Sequence, residues 1–388
     1  MNASPRRICA VSGSRADYGL LLPILRALHH HPDLSLQLAV TGSHLESRFG
    51  LTADVIHRDG FVIDVAVPLG LDDDETDTIT RGLGNAVSGF AGAFARLQPD
   101  LVLVLGDRYE ILGAVQAALI ARIPVAHIAG GDVTEGAFDD AIRHAITKMA
   151  HLHFVTHEAA ARRVRQLGEA DGRVFITGSP GIDQIRQISP PDRQQLEQRL
   201  GMNLQERNLA VTFHPATLDQ QDALDQLEQL LAALAELGGS VGLVFTGANA
   251  DPRGQAVNER IRTFVAERDN AVQHVSLGQR FYYGLLANAD AVVGNSSSGL
   301  YEAPTFGIPT VNVGDRQTGR IKAASVLDCP PEATAIRAAI AQAFAMDCRG
   351  VVNPYGDGRA TERIMAVLTG PWEAQDLLRK GFADRDCD

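Results

Sequence analysis

The sequence is poor in cysteine. Its 388 residues include only four, Cys9, Cys329, Cys348 and Cys387, and no two of them form a CxxC pair. So few scattered cysteines cannot hold together a chain of this length, which excludes a disulfide framework. We therefore expect a protein of a reducing compartment, the cytoplasm.

Long apolar runs and an excess of positive charge are also lacking. No run approaches the roughly 18 apolar residues of a membrane-spanning helix, and the basic start over residues 1–7 is not followed by the apolar segment of a signal peptide. Lys and Arg number 35 against 47 Asp and Glu, a formal net charge of −12. Because the basic residues are scattered, we expect neither nucleic-acid binding nor membrane association. A small anionic ligand stays open, since a few arginines in one cleft suffice.

The composition is that of a folded globular protein, with 45% hydrophobic and 21% charged residues. Short apolar runs alternate with longer amphipathic stretches, a pattern typical of βα units on a buried parallel sheet. The first half contains seven candidate strands, over residues 8–12, 36–41, 61–67, 101–106, 125–129, 153–156 and 174–177. Five more follow in the second half, over residues 209–213, 241–246, 271–276, 291–294 and 310–313.

Residues 188–192 (ISPPD) interrupt this alternation, because two consecutive prolines neither continue a helix nor pair within a sheet. We interpret them as the linker between domains at residues 1–188 and 192–358. The sequence thus predicts an α/β protein of two Rossmann-like, doubly wound domains with a ligand cleft between them. We expect helices over residues 359–388 to pack back on the first domain.

Polar residues at strand ends are the candidate site residues, because ligands of such sheets bind at the carboxyl ends of the strands. After the first strand, residues 12–19 (SGSRADYG) open a helix, a position that attracts anions. Arg15 is placed there for a phosphate, whereas Asp17 is either part of the site or a helix N-cap. The segment is not GxGxxG, so a dinucleotide is not indicated.

Ionisable residues also follow the next central strands. Asp107 and Arg108 come after a fully apolar run, where a carboxylate is either an N-cap or a functional acid. Further ionisable residues fall near one strand-end loop and the helix after it, namely Asp132, Glu135, Asp139, Asp140, Arg143 and His144. A helical Asp139–Arg143 ion pair is the simple structural explanation. Two acids in different environments are also what proton removal and return require.

Two histidines lie at strand ends, His44 in the first domain and His214 in the second. A single histidine there would carry little weight, but two at the edges of one expected cleft favour a functional role.

The segment 294–299 (GNSSSG) gives the clearest phosphate signal, since it lies between a buried strand and a helix. Small residues let the backbone approach a ligand, and hydroxyls and N–H groups donate to its oxygens. Glu302, one turn later, is placed for ribose hydroxyls, so a nucleoside diphosphate is the expected ligand. No HExxH or CxxC motif is present, and we expect no metal.

These motifs together resemble the hydrolysing UDP-N-acetylglucosamine 2-epimerases. The resemblance extends over roughly residues 7–369 and rests on residues 14–18 (SRADY), 106–108 (GDR), 130–148, 294–299 with Glu302, and 314–317 (GDRQ). It implies two Rossmann-like domains of glycosyltransferase-B type, no cofactor, and a homodimer or homotetramer.

The resemblance also implies a reaction. A base removes the C2 proton while UDP leaves from C1, giving a 2-acetamidoglucal, and water then adds to give the free 2-epimer. N-acetylmannosamine is the product for UDP-N-acetylglucosamine, while relatives on the route to legionaminic-type acids use 2,4-diacetamido-6-deoxy analogues.

Residue roles are carried over by the same resemblance. It makes Asp107 and Asp139 the carboxylates of proton transfer and hydration, and His214 a contact of the departing diphosphate. Groups around the UDP-sugar are Arg15, Asp17, His44, Arg108, Arg143, Asn249, Ser296, Ser297, Glu302 and Arg316. One position departs from the pattern, since Ala129 stands where many relatives carry Glu or His two residues after the histidine that matches His127. Asp132 and Glu135 are the candidate replacements for this missing acid.

Three alternatives stay open. A glycosyltransferase of the same fold would need only one base, and a nucleotide-sugar-binding regulator would not need the carboxylates and His214. A non-hydrolysing epimerase would retain UDP on its product.

Overall fold

The computed structural model describes residues 4–46, 52–73, 75–133, 138–215, 223–247 and 252–385. The chain forms two compact units. Unit 1 comprises Met1–Gln184 and Gly358–Asp388, and unit 2 comprises Ile185–Asp357.

Unit 1 is built on a parallel seven-stranded sheet with the order β3-β2-β1-β4-β5-β6-β7. The strands are β1 (Arg6–Ser12), β2 (Leu34–Thr41), β3 (Val65–Val67), β4 (Leu101–Leu105), β5 (Val125–Ile128), β6 (Leu152–Val155) and β7 (Val174–Ile176). Its helices are α1 (Arg15–His30), α2 (Ala53–Arg58), α3 (Thr76–Leu97), α4 (Tyr109–Ile120), α5 (Asp139–Met149), α6 (Glu158–Gln166) and α7 (Pro180–Gln187), which runs into unit 2.

Apolar clusters cover both faces of this sheet, which explains why its central strands are apolar throughout. The segment after residue 357 belongs to this unit as well. Its helices, α14 (Ala360–Leu368) and α15 (Ala374–Leu378), place Ile364, Leu368 and Leu377 in the same apolar cluster as Leu21 and Leu25 of α1.

Unit 2 is built on a parallel six-stranded sheet with the order β10-β9-β8-β11-β12-β13. The strands are β8 (Arg207–Thr212), β9 (Val241–Thr246), β10 (Ala271–His274), β11 (Ala291–Gly294), β12 (Thr310–Val313) and β13 (Val326–Cys329). Its helices are α8 (Arg193–Leu200), α9 (Ala223–Ala235), α10 (Pro252–Ala266), α11 (Gln279–Asn288), α12 (Ser298–Tyr301) and α13 (Ala333–Ala345).

The predicted pair of Rossmann-like sheets is confirmed, and two predictions about strands need correction. The sequence did not indicate β13, a four-residue edge strand whose side chains are half-buried or exposed. β3 begins at Val65 rather than at residue 61. The reason is that Asp64 accepts the N–H of Leu38 with its side chain, at 2.7 Å, and occupies the ladder position before the strand.

The strand orders define where ligands are expected. In unit 1 the chain reverses its direction of winding between β1 and β4, and in unit 2 between β8 and β11. Open parallel sheets bind ligands at the carboxyl ends of the strands beside such a switch point. We therefore expect a ligand site in the loops after these four strands.

Candidate active site

The loop after β1 is fixed by a capping box at the start of α1. Ser14 is the N-cap, and the carboxylate of Asp17 accepts hydrogen bonds from the N–H groups of Gly13 at 2.7 Å and Ser14 at 2.6 Å. The N-cap of α1 is thus Ser14 and not Asp17, and Asp17 is the N3 residue of the capping box. Arg15 is exposed in the first turn of α1, next to this fixed loop.

His44 contacts the start of the same loop through Ser12, the last residue of β1. Its side chain is fully buried, with Nε2 lying 2.9 Å from Ser12 Oγ and Nδ1 lying 2.8 Å from Thr52 Oγ1. Burial lowers the pKa of His44. Because the imidazole has no exposed surface, we assign to it the support of Ser12 rather than a ligand contact.

A buried carboxylate, Glu110, lies against the glycines at the ends of β1 and β2. A Cβ atom on Gly13 would lie 2.6 Å from Glu110 Oε1, and one on Gly42 would lie 2.9 Å from it. Arg108 donates from Nε to the same oxygen, which leaves its two terminal nitrogens without a partner among the described residues. Burial raises the pKa of Glu110, while Arg108 acts in the opposite direction. Glu110 was not singled out from the sequence, although its place after a strand-end GDR was the available signal.

Asp107, after β4, is held by Arg143 of α5. The guanidinium donates to the Asp107 carboxylate, to the main-chain oxygen of Asp132 at 2.8 Å and to Asp140 at 3.3 Å. The Arg143 side chain is only 8% exposed. The helical ion pair of Arg143 is therefore made with Asp140, one residue after the Asp139 that the sequence suggested, and His144 Nε2 lies 3.4 Å from Asp140.

A cavity of about 460 Å³ opens beside these groups. Its walls are formed by Ser14, Ala16, Asp17, Leu20, Leu105, Gly106, Asp107, Arg108, Tyr109, Phe138 and Asp139. Three of the sequence-predicted site carboxylates, Asp17, Asp107 and Asp139, thus line one space. Partial burial, together with the negative charge of Asp107, raises the pKa of Asp139. Phe138, which is 66% exposed, was not predicted as part of the site.

The end of β5 carries no acid at position 129, and Ala129 has a left-handed backbone with φ of 64°. Just before it, His127 is fully buried, with Nε2 lying 2.8 Å from Gly106 O and Nδ1 lying 3.2 Å from Thr147 Oγ1. Burial lowers the pKa of His127 to about 3. His127 is therefore a neutral imidazole, and its contact with Gly106 links β5 to the loop after β4.

Asp132 is the acid that the structure places near this strand end. Thr156 Oγ1 donates to Asp132 Oδ1 at 2.7 Å, and His157 Nε2 lies 3.3 Å from the same oxygen. The other candidate replacement, Glu135, lies outside the described residues. Neither Thr156 nor His157 was predicted, although both follow β6 directly and the strand-end rule could have found them.

In unit 2, Asn295 joins the ends of β8 and β11. Its side chain accepts the N–H of His214 at 2.7 Å and donates to the His214 carbonyl at 2.8 Å. Arg316 and Gln317 donate to the Asn295 carbonyl at 3.0 Å and 2.7 Å. These hydrogen bonds place His214 beside the serine loop. Asn249 lies outside the described residues.

The serine loop leads into α12, which is a single turn. Ser296 and Ser297 are half-buried at its start. Glu302 follows, with a buried Oε2 that has no hydrogen-bond partner among the described residues. Burial raises the pKa of Glu302, and a hydrogen bond from Ser298 acts in the opposite direction.

The described residues hold no group of three His, Cys, Asp or Glu side chains arranged to bind a metal ion. None of their helices combines the length and apolar character needed to cross a membrane.

Comparison with known proteins places the chain in a family. The model of the family described as UDP-N-acetylglucosamine 2-epimerase matches residues 26–369. The GDP/UDP-N,N'-diacetylbacillosamine 2-epimerase (hydrolyzing) of Campylobacter jejuni is 39% identical over 326 residues, 84% of each chain. The polysialic acid biosynthesis protein P7 of Escherichia coli is 36% identical and covers 98% of this chain and 97% of its own.

A solved structure has the same fold. The putative UDP-N-acetylglucosamine 2-epimerase of Listeria monocytogenes superposes with a TM-score of 0.79 at 19% identity, covering 94% of this chain and 96% of its own. At 19% identity, the structural similarity shows the fold alone. The family resemblance predicted from the motifs is confirmed by the match over residues 26–369, and the chain belongs to the UDP-N-acetylglucosamine 2-epimerase family.

Proposed function

We propose that this protein is a hydrolysing 2-epimerase that converts a UDP-2-acetamido sugar and water to UDP and the free 2-epimer. The observation that carries the proposal is the pair of carboxylates, Asp107 and Asp139, on one cavity of unit 1. Inversion at C2 requires that a proton leave one face of the sugar and return to the other. Two separate acid–base groups are therefore needed, and their environments differ here.

In the first step Asp107 takes the C2 proton. The C–H electron pair forms the C1=C2 bond, the C1–O bond breaks, and UDP leaves with the electron pair of the C1–O bond. Asp107 is assigned this role because it is a carboxylate held in place by the Arg143 ion pair.

In the second step Asp139 donates a proton to the opposite face of C2, and water adds its hydroxide to C1. The raised pKa of Asp139 favours the protonated form that this donation requires. Asp132 accepts the remaining proton of the water, and exchange with solvent resets the three carboxyl groups.

Unit 2 supplies the groups for the nucleotide. The serine loop and the Asn295-bound His214 present N–H and hydroxyl donors to a diphosphate, which stabilises its departure without a metal. Glu302 offers its unpartnered Oε2 to the ribose hydroxyls. In unit 1, Arg108 offers the two terminal nitrogens that Glu110 leaves unoccupied.

The cavity favours a 6-deoxy sugar. Four of the residues that line it are apolar, namely Ala16, Leu20, Leu105 and Phe138. A methyl group at C6 would be buried there at a gain, whereas a 6-hydroxyl would lose its hydrogen bonds to water. The diacetylbacillosamine named for the Campylobacter jejuni relative is such a sugar. UDP-N,N'-diacetylbacillosamine is therefore the favoured substrate, and UDP-N-acetylglucosamine is the second candidate.

Incubation with each UDP-sugar without an acceptor tests the proposal. We expect equimolar UDP and free 2-epimer, with a higher kcat/KM for the diacetamido sugar. A UDP-linked 2-epimer would identify a non-hydrolysing epimerase. Transfer to an added acceptor without free 2-epimer would identify a glycosyltransferase, and either result would contradict the proposal.

We further propose a cytoplasmic homodimer or homotetramer. The scattered cysteines support the location, and family membership supports self-association. Light scattering after size exclusion should give a mass of two or four times 41.5 kDa.

A further inference from the structure

The hydrogen bonding of His157 defines which ring nitrogen carries its proton, and that nitrogen lies close to Asp132. It is the N-cap of α6, and its Nδ1 accepts the N–H of Ala160 at 3.1 Å. A neutral imidazole that accepts at Nδ1 carries its proton on Nε2, so the hydrogen-bond network assigns the tautomer. That Nε2 lies 3.3 Å from Asp132 Oδ1, and the side chain is only 10% exposed.

The same oxygen of Asp132 receives a second donor. Thr156 Oγ1 lies 2.7 Å away. Among the described residues Asp132 Oδ2 has no hydrogen-bond partner, which leaves that oxygen available for a reacting proton. The Asp132 side chain is 24% exposed, so it is neither buried nor free in solvent.

The backbone around Asp132 is held as well. Arg143 donates to the Asp132 carbonyl at 2.8 Å, and Arg163 donates to the Gly131 carbonyl at 2.9 Å. Arg143 also binds the Asp107 carboxylate, so one buried guanidinium links the acid after β4 to the acid after β5. A carboxylate fixed in both backbone and side chain has the preorganisation that proton transfer needs.

We propose that Thr156 and His157 are positioning residues that hold Asp132 for proton transfer. Asp132 thereby supplies the acid–base group that Ala129 cannot, since Ala129 has no ionisable side chain. This inference rests on the proposed function, because it concerns the hydration step of that reaction. It adds to the site the two residues that connect β6 to α6.

The test uses two conservative changes. His157→Asn keeps an N-cap side chain but removes the donor to Asp132, and Thr156→Val keeps the shape of Thr156 but removes its hydroxyl. Each change removes one of the two groups that contact Asp132 Oδ1, so each should lower kcat by about 10-fold and leave KM nearly unchanged. The double variant should lose about 100-fold in kcat and approach Asp132→Asn.

His144→Asn is the matched control, because His144 also lies beside an aspartate, Asp140, but does not line the cavity. Its kcat and KM should equal those of the wild type. A wild-type kcat in both single variants, with only a lower melting temperature, would show a purely structural role and overturn the inference. If the wild-type enzyme released no UDP from either UDP-sugar, the proposed function itself would fail and the inference with it.

Discussion

Arg143 and Asp107 form an ion pair across 36 residues of sequence, between the first turns of α5 and the loop after β4. The guanidinium is almost fully buried, and it also binds the main chain of Asp132. Arg143 thus contacts Asp107, Asp140 and the main chain of Asp132. These contacts fix the Asp107 carboxylate relative to α5 and to the loop after β5.

The carboxylates can be tested by charge removal without change of shape. Asp107→Asn should lower UDP release and Asp139→Asn should lower formation of the free 2-epimer, each by at least about 10²-fold while the fold is retained, because each removes one proton-transfer group. Asp140→Asn is the control, since Asp140 lies next to Asp139 but outside the cavity wall. Full activity in either test variant, with a native circular dichroism spectrum, would discard the assignment.

The coupling between the two acids makes a prediction that does not depend on activity. The charge of Asp107 raises the pKa of Asp139, and Arg143 lowers it. In Asp107→Asn the negative charge is lost and Arg143 is released from its partner, so both effects lower the pKa of Asp139. A ¹³C NMR titration should show its carboxyl titrating at lower pH than in the wild type. An unchanged or higher midpoint would show that the two carboxyls do not interact.

The buried Glu110 side chain leaves no room for a Cβ atom at position 13. Gly13→Ala should lower the free energy of unfolding by about 1–3 kcal/mol, because its Cβ would lie 2.6 Å from Glu110 Oε1. It should also raise KM, since Glu110 orients Arg108. Gly92→Ala, in α3 with no atom within 4 Å of the new Cβ, should be neutral or stabilising by up to about 1 kcal/mol. Equal behaviour of the two variants in urea unfolding would refute the tight contact.

The C-terminal segment is attached to unit 1 through a buried charge cluster. Lys380 donates to the Lys148 and Ala150 carbonyls at 2.7 Å and 2.6 Å and lies 2.8 Å from Glu169. Lys380→Met should lower the free energy of unfolding by about 3 kcal/mol, because it leaves Glu169 with one donor fewer. The exposed ion pair of Arg81 on α3 provides a control, and Arg81→Met should cause no measurable loss in the same thermal and urea melts.

Glu169 also predicts an acid dependence. Burial would raise its pKa, but hydrogen bonds from His153, Lys380 and Lys148 outweigh burial and lower the pKa to about 2. Since the unfolded carboxyl has a pKa near 4.5, the stability it contributes is fully present above that pH and is lost as pH falls toward 2. Glu169→Gln should flatten the stability–pH curve in this window, and an unchanged slope would contradict the assignment.

Much of the fold was predictable because buried parallel strands are apolar on both faces. Apolar runs such as that of β4 stand out from the amphipathic helices that flank them. The edge strand β13 does not, since it is short, includes Asp328 and lies just before two prolines. Its pairing with β12 is a property of the sheet rather than of its own residues.

The site was predictable to the extent that strand ends define it. Asp107, Asp139 and the serine loop follow from that rule. What each side chain does there did not follow, because a capping box occupies Asp17, burial removes His44 from solvent, and Arg143 bonds acids from two other loops. Thr156 and His157, which contact Asp132, lie 24 and 25 residues away, directly after another strand, and no local pattern encodes these contacts.

Turnover of the UDP-sugar in D₂O tests the central claim most directly, because it follows the C2 proton itself. Removal by Asp107 and return from Asp139 on the opposite face should place one deuterium at C2 of every free 2-epimer, with one UDP released for each. NMR and mass spectrometry of the sugar read out both quantities. A free 2-epimer that retains its original C2 hydrogen, or deuterated sugar still linked to UDP, would contradict the two-carboxylate account.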